Sequence, residues 1–63
     1  MEAYQQRVLT ERNDLDSKIR KLNVFLASPK SLEIDDDERS LLLEQLSYMK
    51  EYRRVLDLRI NKF

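Results

Sequence analysis

Apolar side chains recur along the C-terminal part of this chain at alternating spacings of four and three residues. The series consists of Leu42, Leu46, Met49, Leu56, Ile60 and Phe63, with Arg53 at one of its positions. A repeat that averages 3.5 residues is typical of an α-helix that packs one apolar face, here called the seam, against another helix. The pattern predicts a helix over about residues 35–62.

A matching series in the N-terminal half predicts a first helix over about residues 2–27. Its seam consists of Val8, Leu15, Ile19, Leu22 and Leu26, with Gln5 and Arg12 as polar interruptions. The chain contains no glycine, and a glycine inside a helix costs about 1 kcal/mol relative to alanine. Both helices are therefore expected to run without a break.

The only proline, Pro29, ends the first helix, because it lacks an N–H and disfavours helical geometry at Ser28. Residues 28–34 then form the connection, and its apolar members Leu32 and Ile34 are expected to cover the end of the core. A connection this short implies antiparallel neighbours.

The second helix begins in a run of four acidic residues, 35–38, of which Asp35 and Glu38 fit a capping box. The sequence thus predicts an all-α fold, an antiparallel two-helix hairpin forming a single domain over residues 1–63.

A second apolar series, here called the stripe, runs beside the seam of the second helix. It consists of Leu41, Tyr48, Tyr52 and Val55. The first helix adds Leu9 and Phe25, so the apolar surface exceeds what one hairpin partner covers. Such excess on a small protein usually marks an interface, where Tyr and Arg are frequent hot spots.

We therefore predict a protein interface made of the stripe together with Leu9 and Phe25, and rimmed by Arg53, Arg54 and Arg59. One candidate occupant is a second copy, so that two hairpins dimerise into a four-helix bundle. The other is a different protein. We favour the second copy, and therefore predict a homodimer, although one stripe could serve both occupants.

Two arginines, Arg12 and Arg53, occupy seam positions about one layer apart in the antiparallel hairpin. If the seam is covered, they need acidic partners, for which Glu11, Glu51 and Asp57 are the nearest candidates. Pairs of opposite charge four residues apart, such as Asp16 and Arg20, are expected to form a solvated face.

Composition argues against catalysis and metal binding. The chain has neither His nor Cys, so it lacks the usual base at neutral pH, the thiol nucleophile and the favoured ligands of zinc. The acids at 35–38 are consecutive and no glycine accompanies them, unlike a calcium-binding loop. We expect no enzyme activity, no catalytic residues, no cofactor and no metal.

Charge is balanced overall, with twelve acidic and twelve basic residues, but it is unevenly placed. Residues 31–49 are acidic and residues 50–63 are basic. The basic stretch supports an alternative function, nucleic-acid binding, with interleaved tyrosines to stack on bases. Its basic residues are Lys50, Arg53, Arg54, Arg59 and Lys62.

The N-terminus does not have the pattern of a secretory signal, and no apolar run approaches the roughly 20 residues needed to cross a bilayer. We expect a cytoplasmic protein that does not bind membranes.

Three segments resemble the small accessory proteins of the early exo-xis region of lambda-like bacteriophages. They are Tyr4–Val8; Leu15–Ile19 with Leu22, Phe25 and Leu26; and Leu41, Leu42, Gln45, Leu46, Met49, Tyr52, Val55, Leu56, Arg59 and Ile60. The resemblance implies an early phage protein in the host cytoplasm. Such a protein would influence lysis, lysogeny and prophage induction by acting on host or phage regulators. It transfers no catalytic or binding residues.

Overall fold

A computed structural model describes all 63 residues, Met1–Phe63, as two long helices that pack against each other. Helix α1 spans Ala3–Ala27 and helix α2 spans Asp36–Ile60, each with 25 residues. The molecule is a rod with principal extents of 45 × 15 × 13 Å.

Side chains satisfy backbone donors at the start of each helix. The Asp35 carboxylate accepts the backbone N–H of Glu38 at 2.7 Å, as the capping pattern predicts. At the start of α1, the backbone N–H of Glu2 donates to the Gln5 side-chain carbonyl at 3.0 Å. Acids at 36–38 in the first turn of α2 also face the positive end of the helix dipole.

The connection is more ordered than the sequence predicted, because Pro29–Glu33 form a 3₁₀-helix that begins at the proline. Ser31 is buried, and its hydroxyl donates to the carbonyl oxygens of Leu26 at 3.1 Å and Ser28 at 2.8 Å. The Arg39 guanidinium donates to the Ser31 carbonyl oxygen. Serine therefore ties the end of α1 to the start of α2.

Leu32 does not cover the end of the core, contrary to the expectation from its apolar character. It is 79% exposed, whereas Ile34 is half-buried. The physical reason is the 3₁₀ turn: the Ser31 hydroxyl faces inward to cap orphan carbonyls of α1, and the next residue consequently points away.

The core lies along the two seams and is small. Only seven of the 63 residues are buried, of which five are apolar: Val8, Leu15, Ile19, Leu46 and Leu56. Partly buried side chains extend this core along the rod, namely Leu22, Leu26, Met49 and Ile60. At the open end, the rings of Tyr4 and Phe63 pack edge to face with centroids 5.8 Å apart.

Leu56→Ala is expected to destabilise the hairpin severely, because Leu56 is 1% exposed and is the most deeply buried apolar side chain. Truncating a buried Leu costs about 2–5 kcal/mol, which is comparable with the total free energy of unfolding of a domain this size, about 3–9 kcal/mol. Urea unfolding followed by circular dichroism measures the loss. The control is Leu58→Ala on the exposed side of α2, which should change stability by less than about 0.5 kcal/mol. Equal effects would contradict the packing.

Candidate functional site

The stripe is exposed along the whole of α2. Leu41 is 60% exposed, Tyr48 67%, Tyr52 45% and Val55 42%. Each member directly precedes a seam residue of α2, and successive residues of an α-helix are rotated by 100°. The stripe therefore occupies its own face of α2, about a quarter turn away from the face that packs on α1.

Two open grooves flank Tyr52 on this face. One, of about 500 Å³, follows the stripe and is lined by Leu41, Glu44, Gln45, Tyr48, Met49 and Tyr52. The other, of about 650 Å³, lies between Tyr52 and α1 and is lined on α1 by Ala3, Gln6, Arg7, Thr10, Glu11, Asp14, Leu15 and Lys18. Tyr52 thus forms a ridge with a groove on either side.

Two of the remaining predicted interface residues share the side of the hairpin that carries the stripe. Arg59 is exposed and follows Tyr52 by seven residues, which places it on the line of the stripe. Phe25 is half-buried and follows Lys18 by seven residues, so it lies on the groove side of α1. Phe25 adds an apolar side chain to this surface, and Arg59 adds a basic one.

Leu9 and Arg54 lie away from the stripe. Leu9 is half-buried and precedes Asp16 by seven residues, which places it on the side of α1 opposite the groove. Arg54 follows Tyr52 by two residues, more than half a turn around α2. Its guanidinium binds Glu51 at 2.6 Å, and this contact raises the pKa of Arg54 and lowers that of Glu51.

Arg53 belongs to the seam rather than to a rim, because it lies within a cluster of charges between the helices. Its guanidinium donates to the Asp16 carboxylate at 2.7 Å. The same carboxylate forms ion pairs with Arg20 at 2.9 Å and with Arg12 at 3.8 Å. Arg12 in turn donates to Asp57 at 2.9 Å. The cluster joins both helices at the layer where the seams carry arginines.

The cluster confirms one of the acidic partners expected from the sequence and replaces another. Asp57 pairs with Arg12, as expected, but Arg53 pairs with Asp16, which is 8% exposed rather than part of a solvated face. The pattern contained a signal for this: Asp16 lies four residues after the seam residue Arg12 and next to the seam residue Leu15. Because Asp16 also pairs with Arg20 along α1, the sequence did not reveal its contact with Arg53 across the two helices.

These contacts shift two pKa values in the directions expected for ion pairs. The hydrogen bond from Arg53 holds the pKa of Asp16 below its ordinary value of 3.8, and the charges of Arg20 and Arg12 act in the same direction. The hydrogen bond to Asp57 raises the pKa of Arg12. Asp16 and Arg12 are therefore both charged throughout the physiological range.

The structure contains no cluster of three or more acidic side chains placed to hold a metal ion. Neither long helix has an apolar stretch sufficient to span a bilayer.

Comparison with known proteins places this hairpin among phage proteins. Residues 2–62, nearly the whole chain, match the family described as Sequestin. The chain belongs to the Sequestin family. A relative in Enterobacteria phage T4, an uncharacterised 7.5 kDa protein from the denB–rIIB intergenic region, is 44% identical over 63 residues, which cover all of this chain and 98% of the relative. No solved structure matches the chain significantly.

These matches indicate a small phage protein of the Sequestin family. They bear out the phage connection that the sequence resemblance implied. The relative comes from phage T4, and the narrower resemblance to exo-xis proteins of lambda-like phages does not follow from it.

Asp16→Asn should reduce the pH dependence of stability of this Sequestin-family hairpin. Because the pKa of Asp16 is lower in the folded chain, the folded state binds fewer protons than the unfolded state. Asp16 therefore stabilises the fold fully above its ordinary pKa of 3.8, and this contribution is lost as the pH falls through the lowered value. Urea midpoints at about pH 6 and about pH 2.5 measure the difference between the two states.

The control for this measurement is Asp14→Asn, which removes the same charge from an exposed carboxylate of α1 that makes no ion pair. The wild type and the Asp14→Asn variant should lose more stability on acidification than the Asp16→Asn variant. The same loss in all three proteins would show that the cluster does not stabilise the fold.

Proposed function

We propose that this protein is a non-enzymatic protein-interaction module, encoded by a phage, that influences phage development by binding a host or phage regulatory protein. The observation that carries this proposal is the stripe. Four large side chains, two of them tyrosines, remain exposed on one continuous helical face of a 63-residue chain. A surface of this kind favours association with another protein.

Binding rather than catalysis is also supported by composition and geometry. The chain lacks His and Cys, and its two grooves are open surface features rather than enclosed pockets that exclude water.

The protein is proposed to self-associate through the stripe, with two hairpins forming a four-helix bundle. A core of five buried apolar residues is small for an independent domain, and covering the stripe adds apolar burial without changing the hairpin. Small helical proteins commonly reach sufficient stability in this way.

The regulatory role and its location rest on the phage relationship. The T4 relative indicates a phage protein, and the resemblance to exo-xis accessory proteins suggests action on the choice between lysis and lysogeny or on prophage induction. The corresponding site of action is the host cytoplasm.

Nucleic-acid binding, the alternative drawn from the basic stretch, receives less support. The guanidinium groups of Arg53 and Arg54 already bind Asp16 and Glu51. Lys50, which precedes Asp57 by seven residues, lies on the opposite flank of α2 from Arg59. The basic residues therefore do not form one continuous patch.

Replacing both tyrosines, Tyr48→Ala with Tyr52→Ala, should abolish the effect of the protein on phage development while leaving the hairpin folded. Both side chains are exposed, so the core is preserved, but most of the aromatic area of the stripe is lost. The assay compares phages carrying the wild-type gene, the double variant or no gene, for burst size and for the frequency of lysogeny or prophage induction. Sedimentation equilibrium of the purified proteins reports self-association in parallel.

The matched control is Val24→Ala with Leu43→Ala, which removes two exposed apolar side chains outside the stripe. It should behave as wild type. If the tyrosine variant supports normal phage development, the stripe is not the functional surface.

A gel shift with duplex and single-stranded DNA or RNA tests the alternative. Electrostatic binding is strongest at low salt and weakens steeply as salt rises. We expect no shift even at low salt, and a salt-sensitive shift lost on Arg59→Gln would favour nucleic-acid binding instead.

A further inference from the structure

Helix α2 carries a second seam of its own, of which the stripe is the apolar part. The second seam consists of Leu41, Gln45, Tyr48, Tyr52, Val55 and Arg59, at successive spacings of four, three, four, three and four residues. This is the same 3.5-residue repeat as the seam packed on α1, displaced by one residue. A repeat of this kind is the signature of a helix that packs along its length on another helix.

The second seam and the seam that packs on α1 differ in burial at every position. All six residues of the second seam are exposed, and each of the six residues that follow them is buried or half-buried against α1. Because consecutive residues differ by 100°, the second seam faces a direction nearly perpendicular to α1. A helix in a four-helix bundle contacts its two neighbours along directions related in this way.

The second seam has a symmetric order when it is read about its midpoint, residue 50. Positions at equal distances from the midpoint are Tyr48 and Tyr52, Gln45 and Val55, and Leu41 and Arg59. One step further out, the same spacing pairs Glu38 with Lys62. A two-fold axis at the midpoint would place each of these residues opposite its counterpart in an antiparallel copy.

Charge favours this antiparallel arrangement over a parallel one. The first turn of α2 is acidic, its last turn carries Arg59, and Lys62 follows just beyond the helix. Antiparallel copies bring the acidic end of each α2 beside the basic end of the other. Parallel copies would place Arg59 opposite Arg59 and acid opposite acid, which is destabilising.

The shape of the stripe surface and the remaining charges near the two-fold axis are compatible with the antiparallel arrangement. The groove of about 500 Å³ along the stripe lies beside Tyr48 and Tyr52, so it can receive the same tyrosines of a symmetric copy. Two acids lie close to the axis. The charge of Glu51 is held by Arg54 at 2.6 Å, and the Glu44 carboxylate, which lines the groove, accepts the Tyr48 hydroxyl at 3.4 Å.

We propose that the second seam binds a second copy of this chain, with the two α2 helices antiparallel about a two-fold axis that crosses the second seam midway between Tyr48 and Tyr52. This inference deepens the proposed function and rests on it, because it names the first occupant of the stripe. The two tyrosines of each copy pack in the central layers, and the ends are held by Arg59 and Lys62 of one copy beside the acids of the other.

Disulfide exchange between two single-cysteine variants tests the orientation. The wild-type chain has no cysteine, and the Gln45→Cys and Val55→Cys variants change exposed residues only. The full-length variants are mixed in a thiol redox buffer, and the covalent dimers are counted by mass spectrometry. Circular dichroism of the reduced variants confirms that they are folded.

The antiparallel dimer predicts the mixed disulfide between positions 45 and 55 in about tenfold excess over the two symmetric disulfides, since sulfurs form a bond only when the backbones approach closely. A preference for the symmetric disulfides would overturn the orientation in favour of a parallel dimer. A yield no greater than that of the Ser47→Cys control, which lies off the second seam, would show that the second seam is covered by something other than a second copy.

The disulfide experiment and the phage experiment together distinguish a failure of this dimer from a failure of the proposed function. If the mixed disulfide is absent while the tyrosine variant still loses its effect on the phage, the stripe binds a different protein and the interaction module stands. If the mixed disulfide forms while that variant supports normal phage development, the dimer is real but the stripe is not the functional surface.

Discussion

The most demanding constraint on the hairpin is the layer at which both seams carry an arginine. Arg12 and Arg53 are half-buried between the helices, where a guanidinium without an acidic partner is costly. Asp16 pairs with Arg53 from the opposite helix and with Arg20 from its own, while Asp57 pairs with Arg12. With this layer in place, Leu15, Ile19, Leu46 and Leu56 become the core, and the stripe is left exposed.

Much of this fold follows from the spacing of apolar residues. Helix α1, the stop at Pro29, the Asp35 cap and the antiparallel packing can all be predicted, because each depends on local patterns or on a short connection. The partner of Arg53 could not, because Asp16 also fits a pair along one helix. The prediction that Leu32 covers the end of the core was wrong for a related reason. Leu32 is apolar, but the hydrogen bonds of Ser31 decide which residue of the turn faces inward.

Only part of the candidate surface could be predicted from the sequence, and helix geometry explains which part. Residues on one helix could be placed on a common face by counting, so the stripe and Arg59 lie together as expected. Counting also places Arg54 more than half a turn from Tyr52, and its guanidinium binds Glu51. Leu9 lies on the other helix, so its position away from the stripe could not be found without the relative rotation of α1 and α2. Arg53 binds Asp16 inside the hairpin.

The two repeats of α2 are one residue apart, and this constrains how the gene can change. Inserting a single codon within α2 before Leu41 would rotate the rest of α2 by about 100° relative to α1, so that the stripe would turn towards α1 and the seam would turn away from it. Tyr52 would then occupy the place of Arg53, and Asp16 would lose its partner. Substitutions along α2 alter one face at a time, whereas a change in the length of α2 before Leu41 alters both faces together. Length variation in descendants of this gene should therefore be found outside the two long helices, at the termini or in the connection.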